Sequence, residues 1–284
     1  MMNAFSIGID ALTLLKEEAK INPGSPSSFL PRWGDELFPR NPRETLLEGG
    51  FPFTELFIGN SGNEGVCAIT SAIPEVFGFF GEKDALIGRE AAVTYLRSFF
   101  PTFKDQDQVI EQYLHLLNEA EEPEVASKQY ILALGDALGD FIIECPTVYY
   151  AAVSSQSGVN VYYYDFQHRP VNSVWADWMG TTHFDEVDFV FGGPFKFPSD
   201  YPTEERVLSK IMIEHWTNFV KYGKPKDDWP LYVNKSEILV YIDAKQPSEA
   251  RGPHMYNCMF FQPYMDSENK IVLPDYSLQL STQS

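Results

Sequence analysis

Residues 159–195 read VNVYYYDFQHRPVNSVWADWMGTTHFDEVDFVFGGPF, and the fold prediction starts from this stretch. Its first part, residues 159–166, is rich in strand-forming Val and Tyr and ends at polar residues 167–169, which predicts a β-strand. Two tryptophans and a glycine follow, then His183 in an acidic loop, and an aromatic run at residues 189–191 closes the stretch. A strand that leads into a loop places this histidine at the rim of a sheet, where catalytic side chains tend to lie.

The second half of this stretch carries a spaced pattern. Residues 178–192 read as W-M-G-x-x-H-x-x-E-V-x-F-V-F-G, with His183 and Glu186 at the polar positions. This pattern resembles the histidine region of the type-B carboxylesterase and cholinesterase family. The resemblance implies an α/β-hydrolase fold, with helices flanking a partial central sheet. It also implies a serine esterase in which His183 is the triad histidine.

The resemblance spans about residues 8–265 and corresponds to the C-terminal half of the family's domain. It therefore implies that residues 1–284 form a single partial domain, a fragment, with a polar tail at residues 266–284. Residues 1–20 lack a basic start, and Asp10 interrupts their apolar run, so they are a poor match to a signal peptide. Since the resemblance also implies a disulfide, described below, that requires an oxidising compartment, the missing leader places the expected natural N-terminus elsewhere.

Charge and composition narrow the classes of function. The 284 residues carry a net charge of −19 at pH 7 and are 44% hydrophobic, which is enough for a sizeable core. The charge disfavours nucleic acid and anionic membranes as partners, and it serves either to attract cationic ligands or only to keep the protein soluble. The sequence contains no apolar run of about 18 residues or more, so no transmembrane helix is predicted. No cofactor is expected, because no nucleotide or phosphate motif occurs and no metal-ligand spacing links the other histidines, His115, His168, His215 and His254.

Glu64 is the candidate for the triad acid. Residues 59–65 read GNSGNEG directly after a predicted strand, and their glycines are expected to turn the chain sharply at positive φ. The family carries its triad glutamate in a similar G-x-N-x-x-E-G loop, with Ser61 here in place of the asparagine. Asp185 and Glu186 are nearer to His183 in sequence, but each would have to fold back to reach the imidazole. Glu186 is interpreted as structural support for the histidine loop.

The nucleophile is missing from these 284 residues. An α/β-hydrolase serine lies in a G-x-S-x-G turn before the acid, and none of the serines that precede Glu64 has that context. No HGGG-type segment supplies an oxyanion hole. The resemblance places both features in the family's N-terminal half, so the chain alone is predicted to be inactive as a triad esterase.

The chain has three cysteines, Cys67, Cys145 and Cys258. Counting allows one disulfide with a free thiol, or three reduced thiols. In the family, a cysteine on the helix before the histidine strand pairs with one in the last helix, and the resemblance implies that Cys145 pairs with Cys258. Such a bridge implies an oxidising compartment, so the protein is expected to be secreted. Asn234 begins an N-glycosylation sequon, which matters only in a secreted protein.

The substrate pocket can be predicted only in part. Candidate lining residues are Trp175, Trp178, Cys67 and Phe29, with core packing as the alternative for the tryptophans and simple burial for Cys67. Cholinesterases carry aromatic residues just after the triad glutamate, where this chain has Val66-Cys67-Ala68. The loss of those rings removes cation–π contacts and favours a general carboxylesterase over a true acetylcholinesterase.

Hydrophobic periodicity predicts the remaining elements. Helices are expected at residues 8–20, 43–48, 108–120, 128–150, 203–222 and 256–261, and strands at residues 53–58 and 238–242. Pro146 is expected to kink or start a helix. In the helix at residues 203–222, Thr203 is the expected N-cap and Gly223 the stop. Its expected buried stripe comprises Val207, Leu208, Ile211, Met212, Phe219 and Val220.

Three functions are compatible with the sequence. The first is the C-terminal segment of a serine carboxylic ester hydrolase, supplying Glu64 and His183, with a small-molecule ester as partner of the full-length enzyme. The second is a non-catalytic, cholinesterase-like adhesion or interaction protein, against which the retained acid and histidine weigh. The third is an unstable truncated product with an exposed sheet edge. A homodimer is a further expected association.

Overall fold

A computed structural model describes residues 8–21, 33–101, 103–115, 117, 122–232, 237–241, 248–251 and 255–265. By internal contacts the chain divides into a short unit, Met1–Thr45, and a large unit, Leu46–Ser284. The short unit holds helix α1 (Ala11–Ile21), close to the predicted residues 8–20. Asp10 accepts the backbone N–H of Thr13 at 3.0 Å and so caps α1. The single partial domain over residues 1–284 stays a prediction.

The sheet has four strands in the order β1 (Glu55–Ser61), β2 (Asn160–Phe166), β3 (Glu237–Tyr241) and β4 (Ser248–Arg251). The first three run parallel, and β4 pairs antiparallel with β3. The β1–β2 register ends with Ser61 opposite Phe166. Both strands therefore finish at the same edge of the sheet, from which the loops carrying the two candidate catalytic residues emerge.

Strand β2 separates two hydrophobic cores, because alternate side chains point to opposite faces of a sheet. Val161 and Tyr163 pack into the larger core, and Tyr162 and Tyr164 pack against the smaller one. Helices cover both faces, which confirms the predicted α/β class. The larger core is built by α2 (Pro42–Glu48), α3 (Val66–Ala72), α4 (Pro74–Phe77), α5 (Arg89–Phe99), α6 (Gln106–Leu114), α7 (Pro123–Gly139), α8 (Cys145–Gln156) and α12 (Met255–Met265).

The glycines of residues 59–65 act differently from the prediction. Gly59 belongs to β1, and none of the three glycines there has positive φ, so the expected φ is wrong, although residues 62–65 do form the expected turn after β1. Gly59 and Gly65 allow close approach instead. A Cβ on Gly59 would collide with the backbone oxygen of Tyr164, and one on Gly65 would collide with the backbone of Gly135 and Gly139. Gly59 therefore lets β1 lie close to Tyr164 of β2, and Gly65 lets the start of α3 pack tightly on α7.

The long helix predicted at residues 128–150 is two helices, α7 and α8, joined by one π-helical turn, Asp140–Glu144. Pro146 lies in the first turn of α8, as the prediction of a helix start requires. Proline lacks a backbone N–H and collides with the carbonyl of the preceding turn, and the wider π turn accommodates this. The α8 end of this region carries Cys145, which is bonded to Cys258 of α12, and this confirms the predicted disulfide.

Helix α11 (Thr203–Tyr222) has the predicted ends, and Gly223 terminates it at φ 74°. Its predicted cap is wrong, because Pro202 occupies the N-cap position and no side chain caps the first turn. Its predicted buried stripe is wrong in part, because Val207 and Val220 are exposed, the latter to 82%. Polar side chains occupy much of the buried face, which comprises Glu205, Leu208, Ser209, Met212 and His215.

Hydrogen bonds explain how polar groups replace apolar ones on that face. The Ser209 hydroxyl donates to the carbonyl of Phe189 at 2.7 Å, and Glu205 lies 2.8 Å from the Nε2 of His168. Helix α9 (Asp185–Val190) packs on α11 through this face, with α10 (Gly193–Lys196) beside them. A hydrogen bond lowers the cost of burying a polar side chain, so hydrophobicity alone could not locate the stripe.

Candidate active site

The acid loop and the histidine loop are joined by Asn63, a residue that the sequence analysis did not single out. Its backbone N–H donates to the carbonyl of Thr181 at 2.8 Å, and its Oδ1 accepts the N–H of Thr181 at 3.1 Å. Asn63 directly precedes Glu64, and Thr181 lies two residues before His183. The two candidate catalytic residues are therefore fixed by one pair of loop contacts. A sequence signal existed only in the position of Asn63 beside the candidate acid.

The histidine loop is also braced from within. The guanidinium of Arg169, just beyond β2, donates to the carbonyl oxygen of Trp175 at 2.8 Å and to that of Gly180 at 3.3 Å. These bonds connect the start of the loop to the turn that precedes His183. Arg169 carries five donors in a rigid planar group, which suits it to hold several backbone oxygens at once.

The structure brings Glu64 and His183 together across 119 residues of sequence. His183 Nδ1 lies 2.6 Å from Glu64 Oε2, and the other carboxylate oxygen accepts the backbone N–H of Ser61 at 2.7 Å. The Glu64 side chain is buried, while that of His183 is about one-third exposed. With Nδ1–H donating to the carboxylate, Nε2 is left unprotonated and can accept a proton.

The electrostatic environment of His183 favours the imidazolium, in which both ring nitrogens carry a proton. The hydrogen bond to Glu64 raises the pKa of His183 above its ordinary value, burial opposes this, and the charges of Glu64 and Glu186 raise it further. A base with a raised pKa accepts a proton more readily, and the adjacent carboxylate stabilises the imidazolium that results.

The rival acids have other partners. Asp185 accepts the backbone N–H of Thr182 at 2.8 Å, and Glu186 accepts the hydroxyl of Ser61 at 3.1 Å. Burial is the main cause that raises the pKa of both carboxyl groups. Among the hydrogen bonds of the described residues, neither carboxylate contacts the His183 ring. Ser61 was noted in the sequence only as a departure from the family's loop. In the structure it supports the carboxylates of Glu64 and Glu186, because its N–H donates to Glu64 and its hydroxyl donates to Glu186.

The three candidate pocket residues that the structure describes have different partners. Cys67 lies beside the acid, with its Sγ 3.5 Å from the carbonyl oxygen of Glu64, and burial raises the pKa of its thiol. Trp175 packs on Phe80 instead, with ring centroids 5.5 Å apart. Trp178 donates from Nε1 to the carbonyl of Gly81 at 2.9 Å. Phe29 and the sequon residue Asn234 lie outside the described residues.

Trp178 lines a cavity of about 330 Å³ together with Phe77, Ile131 and other residues. Neither Glu64 nor His183 lines this cavity, so its volume says nothing of the site around the imidazole. Within the described part of the chain, no cluster of His, Cys, Asp and Glu has the geometry to hold a metal ion. No helix in that part is long and apolar enough to cross a bilayer.

Replacing Glu64 by glutamine is expected to lower the pKa of His183, because the amide keeps the shape of the side chain but removes the charge that favours imidazolium. A pKa raised by folding stabilises the native state fully below the unfolded value of about 6.5 and ceases to do so as pH rises through the folded value. The stability lost by Glu64→Gln is therefore expected to be larger at pH 5.5 than at pH 8.5.

The measurement is an NMR titration of the His183 ring protons in the wild type and the variant, with denaturant unfolding at both pH values. Glu186→Gln is the matched control, since Glu186 acts on His183 by charge alone and is expected to shift its pKa less. An unchanged His183 pKa in Glu64→Gln would contradict the pairing.

Comparison with known proteins gives a consistent set of relatives. The Carboxylesterase family model matches residues 8–261. Acetylcholinesterase-1 of Trittame loki is 35% identical over 245 residues, which cover 84% of this chain and 43% of that protein. The acetylcholinesterase of Bungarus fasciatus is 31% identical over 245 residues, covering 84% and 39%. That of Leptinotarsa decemlineata is 29% identical over 236 residues, covering 81% and 36%. The chain thus spans about two fifths of the length of the relatives it matches.

Proposed function

Since this chain belongs to the carboxylesterase family, which has the α/β-hydrolase fold, we propose that it is the C-terminal segment of a serine carboxylic ester hydrolase. In this proposal Glu64 is the triad acid and His183 the triad base, and the segment forms one partial domain. The nucleophilic serine and the oxyanion donors come from polypeptide outside these 284 residues.

The single observation that carries the proposal is the 2.6 Å contact between His183 Nδ1 and the buried carboxylate of Glu64. In the proposed reaction, Nε2 of His183 takes the proton of the serine hydroxyl as the serine oxygen attacks the ester carbonyl. The imidazolium, stabilised by Glu64, then gives that proton to the departing alcohol, leaving an acyl-enzyme. Water then attacks the carbonyl of the acyl-enzyme while Nε2 takes the proton of the water. The imidazolium returns that proton to the serine oxygen, the carboxylic acid is released, and the imidazole is neutral again.

Two features support a nucleophile supplied from elsewhere. No G-x-S-x-G run occurs in the 284 residues. Strand β1 is also the terminal strand of the described sheet, and its outer edge has no partner among the described residues. An exposed strand edge presents unpaired N–H and C=O groups, which a further strand would satisfy.

The expressed 284 residues are expected to show no serine-dependent hydrolysis of 4-nitrophenyl acetate, because acid and base without a nucleophile cannot form an acyl-enzyme. The measurement is release of 4-nitrophenolate with and without an organophosphate. The His183→Ala variant is the control for background hydrolysis by imidazole, which an organophosphate does not block. Turnover that the organophosphate abolishes would overturn the assignment.

The alternative is a non-catalytic, cholinesterase-like interaction protein. What weighs against it is the retained contact of Glu64 with His183 and the further support given to Glu64 by Ser61. Sequencing the transcript upstream of Met1 separates the two: an in-frame G-x-S-x-G supports the hydrolase, and another residue in place of its serine supports the interaction protein. The substrate class favoured here is a general carboxylic ester, because small residues at 66–68 follow the acid.

We propose that the protein is secreted, since a buried disulfide between Cys145 and Cys258 requires an oxidising compartment to form. If so, the sequon at Asn234 can carry an N-linked glycan. Expression through a secretory route in eukaryotic cells is expected to give a product that shifts in mass when treated with peptide-N-glycosidase. Asn234→Gln is the control and is expected to abolish the shift. A secreted protein without any shift would remove the glycan from the proposal.

A further inference from the structure

Phe184, the residue directly after His183, has an unusual backbone. Its φ is +75°, and among the described residues it is the only non-glycine residue with positive φ. The nearby turns at Gly180 and Gly192 adopt positive φ with glycine, which carries no Cβ to collide with the backbone. A bulky side chain in this conformation is strained, and such strain is commonly kept where a side chain has a task.

The position of the ring indicates that task. The side chain of Phe184 is 66% exposed, so core packing does not account for it. Its ring lies against the imidazole of His183, with centroids 4.3 Å apart and planes inclined at 63°. Glu64 holds the Nδ1 edge of the same imidazole. The imidazole is therefore bounded by a carboxylate at one edge and by an aromatic wall beside it.

We propose that Phe184 is a specificity-determining residue whose ring limits the bulk of the group that reaches Nε2 of His183. Applied to substrate, this rests on the proposed function: esters with a compact group next to the scissile bond are favoured, and branched ones are rejected. The strained backbone is what keeps the ring beside the imidazole, because a residue in the ordinary helical or extended region would direct its Cβ elsewhere.

The test uses the 284-residue chain and two acylating reagents of different bulk, diethyl pyrocarbonate and di-tert-butyl dicarbonate. Peptide mass spectrometry follows acylation of His183, and each rate is corrected for the neutral fraction from that variant's His183 pKa. Phe184→Ala is expected to raise the His183 rate by about tenfold for the bulky reagent and far less for the small one. Exposed His115 is the internal reference, and its rates are expected to stay unchanged. Phe191→Ala, which removes another exposed ring, is the matched control and is expected to change neither rate.

A second variant distinguishes the effect of the Phe184 ring on access to His183 from the effect of the strained Phe184 backbone on stability. Phe184→Gly removes both the ring and the Cβ at positive φ, so it is expected to show the same acylation rates as Phe184→Ala and a Tm higher by about 2–4 °C than that variant. Unchanged discrimination between the two reagents in both variants would overturn the proposal, whatever the Tm values. Neither the acylation rates nor the Tm values need a serine nucleophile or ester turnover. A result that contradicts the role of Phe184 is therefore distinguishable from one that contradicts the hydrolase assignment.

Discussion

Replacing Cys145 and Cys258 together by alanine is expected to lower the free energy of unfolding of the large unit by about 4–5 kcal/mol, with a fall in Tm on the order of 10 °C. The bridge joins residues 113 apart, and a cross-link that closes a long loop removes much conformational freedom from the unfolded chain. Both cysteines are fully buried, so the variant also leaves a space in the core between α8 and α12.

Denaturant unfolding of the oxidised protein, the reduced protein and the variant provides the measurement. Cys67→Ala is the matched control, because Cys67 is the free thiol and its loss is expected to cost far less. Hydrogen bonds remain to hold α12 after reduction: Asn257 donates to Asp140 at 2.7 Å, and Gln112 donates to Asn257 at 2.8 Å. Equal stability of the oxidised and reduced proteins would show that these contacts, rather than the bridge, fix the last helix.

The second large effect concerns catalysis in a chimera in which this chain replaces the matched segment of Trittame loki acetylcholinesterase-1. His183→Ala in the chimera is expected to reduce kcat for 4-nitrophenyl acetate by about 10⁴-fold or more, because the variant lacks the proposed base that takes the serine proton. Glu64→Gln is expected to reduce kcat as well, since the imidazole then loses its fixed tautomer and its stabilising charge.

The control in the chimera is His115→Ala, which removes an exposed histidine at the end of α6 and is expected to leave kcat and KM nearly unchanged. Thermal unfolding of each variant confirms that it has folded before its kinetics are compared. A chimera with organophosphate-sensitive turnover that survives the loss of His183 would assign the base to another residue. The interpretation of Glu64 would then fail with it.

The sequence predicted features that depend on neighbouring residues better than features that depend on contacts between residues far apart in the chain. The strand at residues 159–166 followed from its strand-forming composition, and the ends of helix α11 followed from terminal residues such as Gly223, because these signals act within a few residues. The buried face of α11 did not follow, since Glu205 and Ser209 are buried only because His168 and the Phe189 carbonyl offer hydrogen bonds from other parts of the chain. Strand β4 was missed as well.

The candidate site shows the same division. The spacing of the family-like motifs indicated His183 and Glu64 as the candidate base and acid. It contained no information on the distance between the two side chains. Asn63 and the hydroxyl of Ser61, which connect the acid loop to Thr181 and to Glu186, carried no such signal, because these partners lie more than 100 residues away. The glycines at residues 59 and 65 were expected to supply positive φ, and only the close approach of Tyr164 to Gly59 and of α7 to Gly65 revealed their role.

The sequence by itself determined which family this chain resembles, where its main strand and its best-marked helix lie, and which two residues are candidates for acid and base. Those properties are encoded in neighbouring residues and in motif spacing. Only the tertiary structure decided that the carboxylate meets the imidazole, that Phe184 is strained against the same ring, and that polar groups fill the buried face of α11. Contacts between distant segments arise when the sheet and its helices assemble, so no local pattern could state them.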